Sequence, residues 1–236
     1  MPFVLKQSAL LAVLALVLLT SSFQHKAAPR FWSYTVDTKK ASIRTYFKNS
    51  KGERIDNLLA LKSHIEQGGK KMLFAMNCGM YSTSYTPVGL YIEEGRQLSS
   101  VRKCNTAKAN FCLQPQGVFY VRTDGRAGIG TVQSFSAKGV RYATQSAPVV
   151  VQNGKMNPQL PKGLQLVRNG VGVRKDGTVV LALSRDYVNF HQFAQYFIDQ
   201  GCVTAMYFDG NVSQAYYPGK ATPNGAPFGA MVAVVQ

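Results

Sequence analysis

Eleven carboxylates set against 27 lysines and arginines leave few groups for acid–base or nucleophilic work, so the acids can be taken one by one. Asp124 and Asp176 each precede glycine in a turn-forming stretch, and Glu93-Glu94 precede Gly95 in another. Asp56 reads as a helix N-cap, Glu66 as part of a polar helix face, Asp199 as a helix-end residue, and Asp37 and Glu53 as turn residues. Asp186 and Asp209 have no such ready explanation. Asp186 follows an apolar run in Ser184-Arg185-Asp186, where a loop acid paired with Arg185 is the competing reading. Asp209 ends the β-favouring run Thr204–Phe208 and is followed by Gly210-Asn211, which lifts one carboxylate out of a strand end. A plain hairpin turn is the alternative there.

Other chemistries find less support. The chain has no GxSxG and no CxxC, and His25, His64 and His191 lack metal-motif spacing. No cofactor is expected, although a divalent ion held by Asp209 and backbone oxygens stays open. Arg168-Asn169-Gly170-Val171-Gly172 places a planar guanidinium at the mouth of a glycine-interrupted strand, a fork suited to phosphate or carboxylate beside backbone that a ligand can approach. Asn77, next to Gly79 at another strand end, is a further polar candidate.

The elements that must position these groups follow from periodicity. Phe190, Phe193, Ala194, Phe197 and Ile198 form one apolar helical stripe between an Asn189 N-cap and a Gly201 stop, leading into the strand that carries Asp209. A second helix runs from an Asp56 cap to about Gln67. Met72–Met76 reads as a buried strand that delivers Asn77. Phe31–Val36 and Ala41–Phe47 read as a hairpin, and further strand pairs surround Thr123–Arg126, Asn153-Gly154 and Lys175–Gly177. Gly229–Val235 is a last strand. The expectation is a single α+β domain, β-rich, with a mixed sheet and two main helices.

Residues 1–22, with Lys6, the apolar run Ser8–Leu19 and Thr20-Ser21-Ser22, have the layout of a secretory signal, a short uncleaved anchor being the alternative. Residues 23–30 read as a linker and 31–236 as the domain. Removing the signal takes the formal charge from +16 to +15. In an exported chain, periplasmic or extracellular, that excess points to an anionic glycan or phosphate-bearing substrate and away from nucleic acid, with membrane contact only through the signal. Export also makes the four cysteines candidates for disulfides: Cys104 and Cys112 bracket a polar loop and are the preferred pair, leaving Cys78 and Cys202 either bridged or as buried thiols. Oligomeric state has no sequence signal.

Five stretches taken in order, Asn77-Cys78-Gly79-Met80-Tyr81, Pro87–Leu90, Ala143–Pro148, Arg168–Gly172 and Gly201–Gly210 with Ser213, resemble the phosphodiester glycosidase family from about Lys71 to Val235. That family includes an enzyme that removes N-acetylglucosamine from a phosphodiester to mannose. The resemblance implies a hydrolase acting on a sugar phosphodiester. It points to Asn77, Gly79, Arg168, Asp209, Gly210 and Ser213 as pocket residues, of which Asn77, Arg168 and Asp209 are taken as catalytic; Tyr81, Asn169 and Asp186 are further substrate-binding candidates, Asp186 from the count of acids alone. Arg168 would clamp phosphate. Cys78 and Asn211 stand where the family has glycines, which puts bulk beside the expected pocket.

The acid count suits this chemistry. Ordinary glycosidases need one carboxylic acid to protonate an alcohol leaving group and a second carboxylate as nucleophile or base. A departing phosphate needs little protonation, so one carboxylate with cationic and hydrogen-bonding support suffices. A binding protein for anionic polysaccharide and a phosphodiesterase are the competing readings.

Overall fold

The computed structural model describes residues 31–104 and 109–236. The expected signal at 1–22 and linker at 23–30 lie outside the described residues. Three sheets carry the fold. Sheet 1 has the order β1 (Phe31–Val36), β12 (Val179–Ser184), β11 (Asn169–Arg174), β13 (Cys202–Asp209), β9 (Val149–Gln152), β10 (Lys155–Met156). Sheet 2 has the order β14 (Ala215–Tyr216), β3 (Met72–Asn77), β15 (Met231–Val235), β2 (Ser42–Tyr46). Sheet 3 runs β5 (Arg96–Ser99), β4 (Tyr91–Glu93), β8 (Val140–Ser146), β6 (Gly117–Arg122), β7 (Ala127–Thr131). Two α-helices, α1 (Leu58–Gln67) and α2 (Phe190–Asp199), complete the described elements used below.

Alternation along the strands builds the layers. On β13, Met206 and Phe208 face a core shared with Phe74, Met76, Val232 and Val234 of sheet 2 and Phe119 and Tyr142 of sheet 3. Ala205 and Tyr207 face the opposite way, onto Phe190, Phe193 and Phe197 of α2. On sheet 2, Ala75, Met231 and Ala233 meet Leu58, Leu61 and Ile65 of α1. Each helix therefore covers the outer face of one sheet. Burying one phenylalanine completely is worth about 1.5–3 kcal/mol, so α2 is held mainly by its aromatic stripe. Its start is fixed by a capping box, Asn189 accepting from the Gln192 N–H while the Gln192 side chain takes the Asn189 N–H.

The glycines of β11 serve that packing. A Cβ at Gly170 would collide with the Met206 carbonyl and touch Phe193 Cζ at 3.0 Å; one at Gly172 would meet Cys202 Sγ at 2.5 Å and Phe197 Cδ1 at 2.6 Å. The glycine interruption expected to admit a ligand instead admits the rings of α2.

Three expectations are corrected. The sheets are not mixed, since every pairing among the described residues is antiparallel. The crossover through α2 does join two strands that run the same way, β12 and β13, but β11 lies between them and pairs with both. Second, β1 and β2 are not a hairpin: β1 pairs with β12 and β2 with β15, so the connection passes from one sheet to another. Finally, the cap of α1 is Asn57, whose side chain accepts from Leu59 and Ala60 N–H, while Asp56 pairs with Arg54 at 2.6 Å. The two helices, the Cys104–Cys112 disulfide and the two buried thiols are present as expected. Among the described residues no helix is long and apolar enough to cross a membrane.

Candidate active site

Asp209 sits at the end of β13, where the register with β11 slips: Gly170 is opposite Tyr207 and Asn169 is opposite Asp209. One residue of β13 is extra, and such a bulge changes the side to which the following side chain is aimed. Strict alternation would send Asp209 the way of Tyr207, toward α2. The slip brings it instead to Asn77, which ends β3 in the facing sheet: Asn77 Nδ2 donates to Asp209 Oδ2 at 3.2 Å.

Asn169 locks the two strand ends together. Its Nδ2 donates to the Asn77 carbonyl at 2.6 Å and to Asn77 Oδ1 at 3.0 Å, and its Oδ1 accepts from Asp209 N–H at 3.0 Å. Asn77 Oδ1 also accepts from Gln214 N–H at 3.0 Å. Asn77 and Asn169 are completely buried. With every polar atom of this pair spoken for, the amide of Asn77 has one orientation, with its Nδ2 toward the carboxylate. Asp209 Oδ1 takes the Gly210 N–H at 2.8 Å. Burial pushes the Asp209 carboxyl up to about 6, outweighing the Gly210 and Asn77 hydrogen bonds that favour its charged form. None of these influences is a second carboxylate.

Around this carboxylate stand hydroxyls and rings. Burial and then the charge of Asp209 raise Tyr81 to about 12, and Tyr81 stacks on Tyr85 with ring centres 5.5 Å apart. Arg54 lies over the Tyr85 ring at 4.3 Å. Burial above all, then Asp209, also raises the Tyr207 hydroxyl, which is hydrogen-bonded to Arg168 and lies 2.7 Å from where a Cβ at Gly210 would be. Gly79, at φ 67°, leaves no room for a side chain because a Cβ would run into Thr144 Oγ1 of β8. Ser213 is 7% exposed, and its Oγ has no hydrogen-bond partner among the described residues.

The structure thus gathers Asn77, Asn169, Asp209 and Gly210 in one hydrogen-bonded cluster, with Tyr81 at its side and Ser213 one residue before the Gln214 donor. It does not place Arg168 in the role expected for it. Its guanidinium is 1% exposed, donates from Nε to the Val188 carbonyl and from Nη2 to the Leu164 carbonyl, both at 2.9 Å, and lies 3.8 Å from the Phe190 ring centre. A group so enclosed braces the Tyr207 hydroxyl instead of clamping a ligand. Asp186 lies in the exposed loop between β12 and α2, outside the cluster. The bulk of Cys78 also falls elsewhere: its side chain is 1% exposed within the inter-sheet core.

Sequence reasoning missed Tyr207, Tyr85 and Gln214. Gln214 left no signal, because its backbone and not its side chain serves Asn77. Among the described residues no three His, Cys, Asp or Glu side chains gather as a metal site. A cation at this end would find Asp209 as its charged ligand, supplemented by amide and carbonyl oxygens.

The model of a known family, described as phosphodiester glycosidase, matches residues 70–235, a span that takes in every member of this cluster. The chain belongs to the phosphodiester glycosidase family. It is 36% identical over 207 residues to the uncharacterized protein YigE of Escherichia coli (strain K12), covering 86% of this chain and 80% of that one. Among solved structures it is similar to the catalytic domain of zebrafish N-acetylglucosamine-1-phosphodiester alpha-N-acetylglucosaminidase auto-inhibited by its pro-peptide, with a TM-score of 0.60 and 14% identity over 89% of this chain and 85% of that one. A putative exported protein from Burkholderia pseudomallei K96243 gives a TM-score of 0.56 at 10% identity, covering 86% and 73% of the two chains. At such identities the structural likeness establishes a shared fold, and the family rests on the match over residues 70–235.

Proposed function

We propose that the protein is an exported hydrolase that releases a sugar, N-acetylglucosamine-like, from a phosphodiester-linked glycan or envelope polymer. The observation that carries this reading is the half-buried carboxyl of Asp209, held by Asn77 and Gly210 at a strand end and pushed up to about 6, in a chain of the phosphodiester glycosidase family. Water supplies the oxygen that ends on the anomeric carbon. The bond from that carbon to the phosphate oxygen breaks, and the electron pair leaves with the phosphate monoester, which needs no protonation from a second acid.

Asp209, ionised above pH 6, acts on the anomeric centre as nucleophile or as the base that activates water. Asn77 and the Gly210 N–H hold the carboxylate in place, so little reorganisation accompanies the reaction. The stacked Tyr81 and Tyr85 offer an aromatic face to a sugar ring. Arg168 contributes through Tyr207. Export is supported by the Cys104–Cys112 disulfide together with the signal-like residues 1–22.

Hydrolysis of a glycosyl phosphodiester in heavy-oxygen water tests the proposal. Label in the released sugar is the expected result, and label in the phosphate would mean that the phosphorus bond is the one cut. Retained anomeric configuration identifies Asp209 as nucleophile, and inverted configuration identifies it as base.

A further inference from the structure

A hollow of about 260 Å³ opens at the end of sheet 1 where β13 carries Asp209. Its walls include Trp32 of β1, Arg185 after β12, Ser213 and Gln214 before β14, and Thr222 and Asn224. Strand register ties it to Asp209. Asn169 is paired with both Asp209 and Leu183, and Leu183 is paired with Trp32, so these four residues form one row across four neighbouring strands. Three strand spacings put the Cα atoms of Asp209 and Trp32 about 14 Å apart. The segment Ser213-Gln214 is a shared wall, because Gln214 N–H donates to Asn77 on the Asp209 side while Gln214 Oε1 accepts from Asn224 N–H on the far side at 2.9 Å.

Two features of this hollow call for a ligand. Ser213, which lines it, carries a buried Oγ with no hydrogen-bond partner among the described residues, a state that costs about 1–3 kcal/mol. Trp32 presents an indole, with the Arg185 guanidinium 5.4 Å from its ring centre. An aromatic face, a donor-hungry hydroxyl, amides and a rim cation together match a hydroxyl-rich ring bearing a phosphate. Trp32 also lies outside residues 70–235, so this wall is supplied from beyond the segment that matches the phosphodiester glycosidase model.

We infer that the hollow is the subsite for the departing half of the substrate, a polyol or sugar carrying the phosphate, stacked on Trp32 and hydrogen-bonded by Ser213. The inference rests on the reading of Asp209 as the reacting centre, which places the bond to be cut at one end of the row and the leaving group at the other.

Trp32 is the chain's single tryptophan, so its fluorescence reports the hollow directly. Titration with glucose 6-phosphate, a representative phosphorylated polyol, is expected to give a saturable change in emission at concentrations at least tenfold below those needed for inorganic phosphate or glucose alone. Ser213→Ala removes an unpartnered hydroxyl, so its melting temperature is expected to hold or rise while affinity for glucose 6-phosphate falls about tenfold; a merely structural serine would give neither result. Trp32→Leu, checked for folding by circular dichroism, is expected to lose about tenfold in kcat/KM on a sugar–phosphate–sugar substrate and little on the methyl phosphodiester of the same sugar. No emission change, or an equal response to inorganic phosphate, overturns the inference, as does equal loss on both substrates. Hydrolysis without a Trp32 response sinks the subsite and leaves the glycosidase reading standing. A Trp32 response in protein that releases no sugar sinks the glycosidase reading and leaves a phosphosugar-binding hollow.

Discussion

Burial pushes two carboxyls of this chain to about the same value, near 6: Asp209 and Glu93. Their surroundings differ. Glu93 ends β4, and its Oε2 accepts from the Tyr91 hydroxyl at 2.9 Å and from the Phe47 N–H at 3.0 Å. It joins sheet 3 to the strand end of β2 and satisfies two donors that burial would otherwise strand. Asp209 satisfies Gly210 and Asn77, but it stands at a bulge among aromatic side chains, and Asn77 links it through the Gln214 N–H to the hollow that Trp32 lines. The comparison teaches that a perturbed carboxyl marks a functional site only when its setting leaves it something to act on.

The sharpest way to break the comparison is turnover. Asp209→Asn is expected to lower kcat on a glycosyl phosphodiester by about 10⁴-fold, as removal of a single essential group does. Glu93→Gln should stay within about twofold. Comparable losses in both variants would place the two carboxyls in one class. A pH series follows from the same argument. Asp209 must be ionised to act, so kcat/KM is expected to rise through about pH 6 and then level; a profile with no inflection between pH 5 and 7 would deny Asp209 the role.

Stability gives a smaller contrast of opposite sign. A folded carboxyl raised above its unfolded value binds its proton more tightly in the native state, so stability is lost as pH climbs from about 4 to 6. Asp209→Asn removes that loss. Relative to the parent it is expected to gain about 2 kcal/mol at pH 8, after allowance for partial exposure, and nothing at pH 4. Glu93→Ala gains the same relief at pH 8 but leaves two donors, Tyr91 and Phe47, without an acceptor at about 1–3 kcal/mol each, so it should show a net loss at pH 8 and a larger one at pH 4. Melting curves at the two pH values check both. The smallest effect expected is at Arg168: Arg168→Lys keeps the charge but cannot hold the Val188 and Leu164 carbonyls and Tyr207 together, so it should cost about 1–2 kcal/mol in stability and several-fold in kcat, with KM little changed. A large rise in KM alone would restore the direct clamp.

Much of this architecture was legible in the chain. The stripe Phe190, Phe193, Ala194, Phe197 announces α2 because helical periodicity is a local property, and Asn189 and Gly201 bound it for the same reason. The Asp-Gly turns at Asp124 and Asp176 close hairpins whose strands are neighbours in sequence. Where Phe31–Val36 and Ala41–Phe47 were expected to pair with each other, they did not, because each is an edge that completes a different sheet and nothing local states which partner a strand will take.

The site divides along the same line. Residue type and position alone made Asp209 stand out, since nine of the other ten acids read as cap, turn or surface residues and the last, Asp186, has a loop reading of its own. The order of the Asn77, Asn169 and Asp209 stretches likewise carried the family resemblance. What the linear chain could not decide was which way each side chain points. Arg168 and Asn169 are adjacent, yet one lies beneath α2 and the other locks Asn77, because successive residues of a strand face opposite layers. The direction of Asp209 is set by a one-residue slip between β11 and β13, a property of how two strands dock, and only long-range packing fixes that.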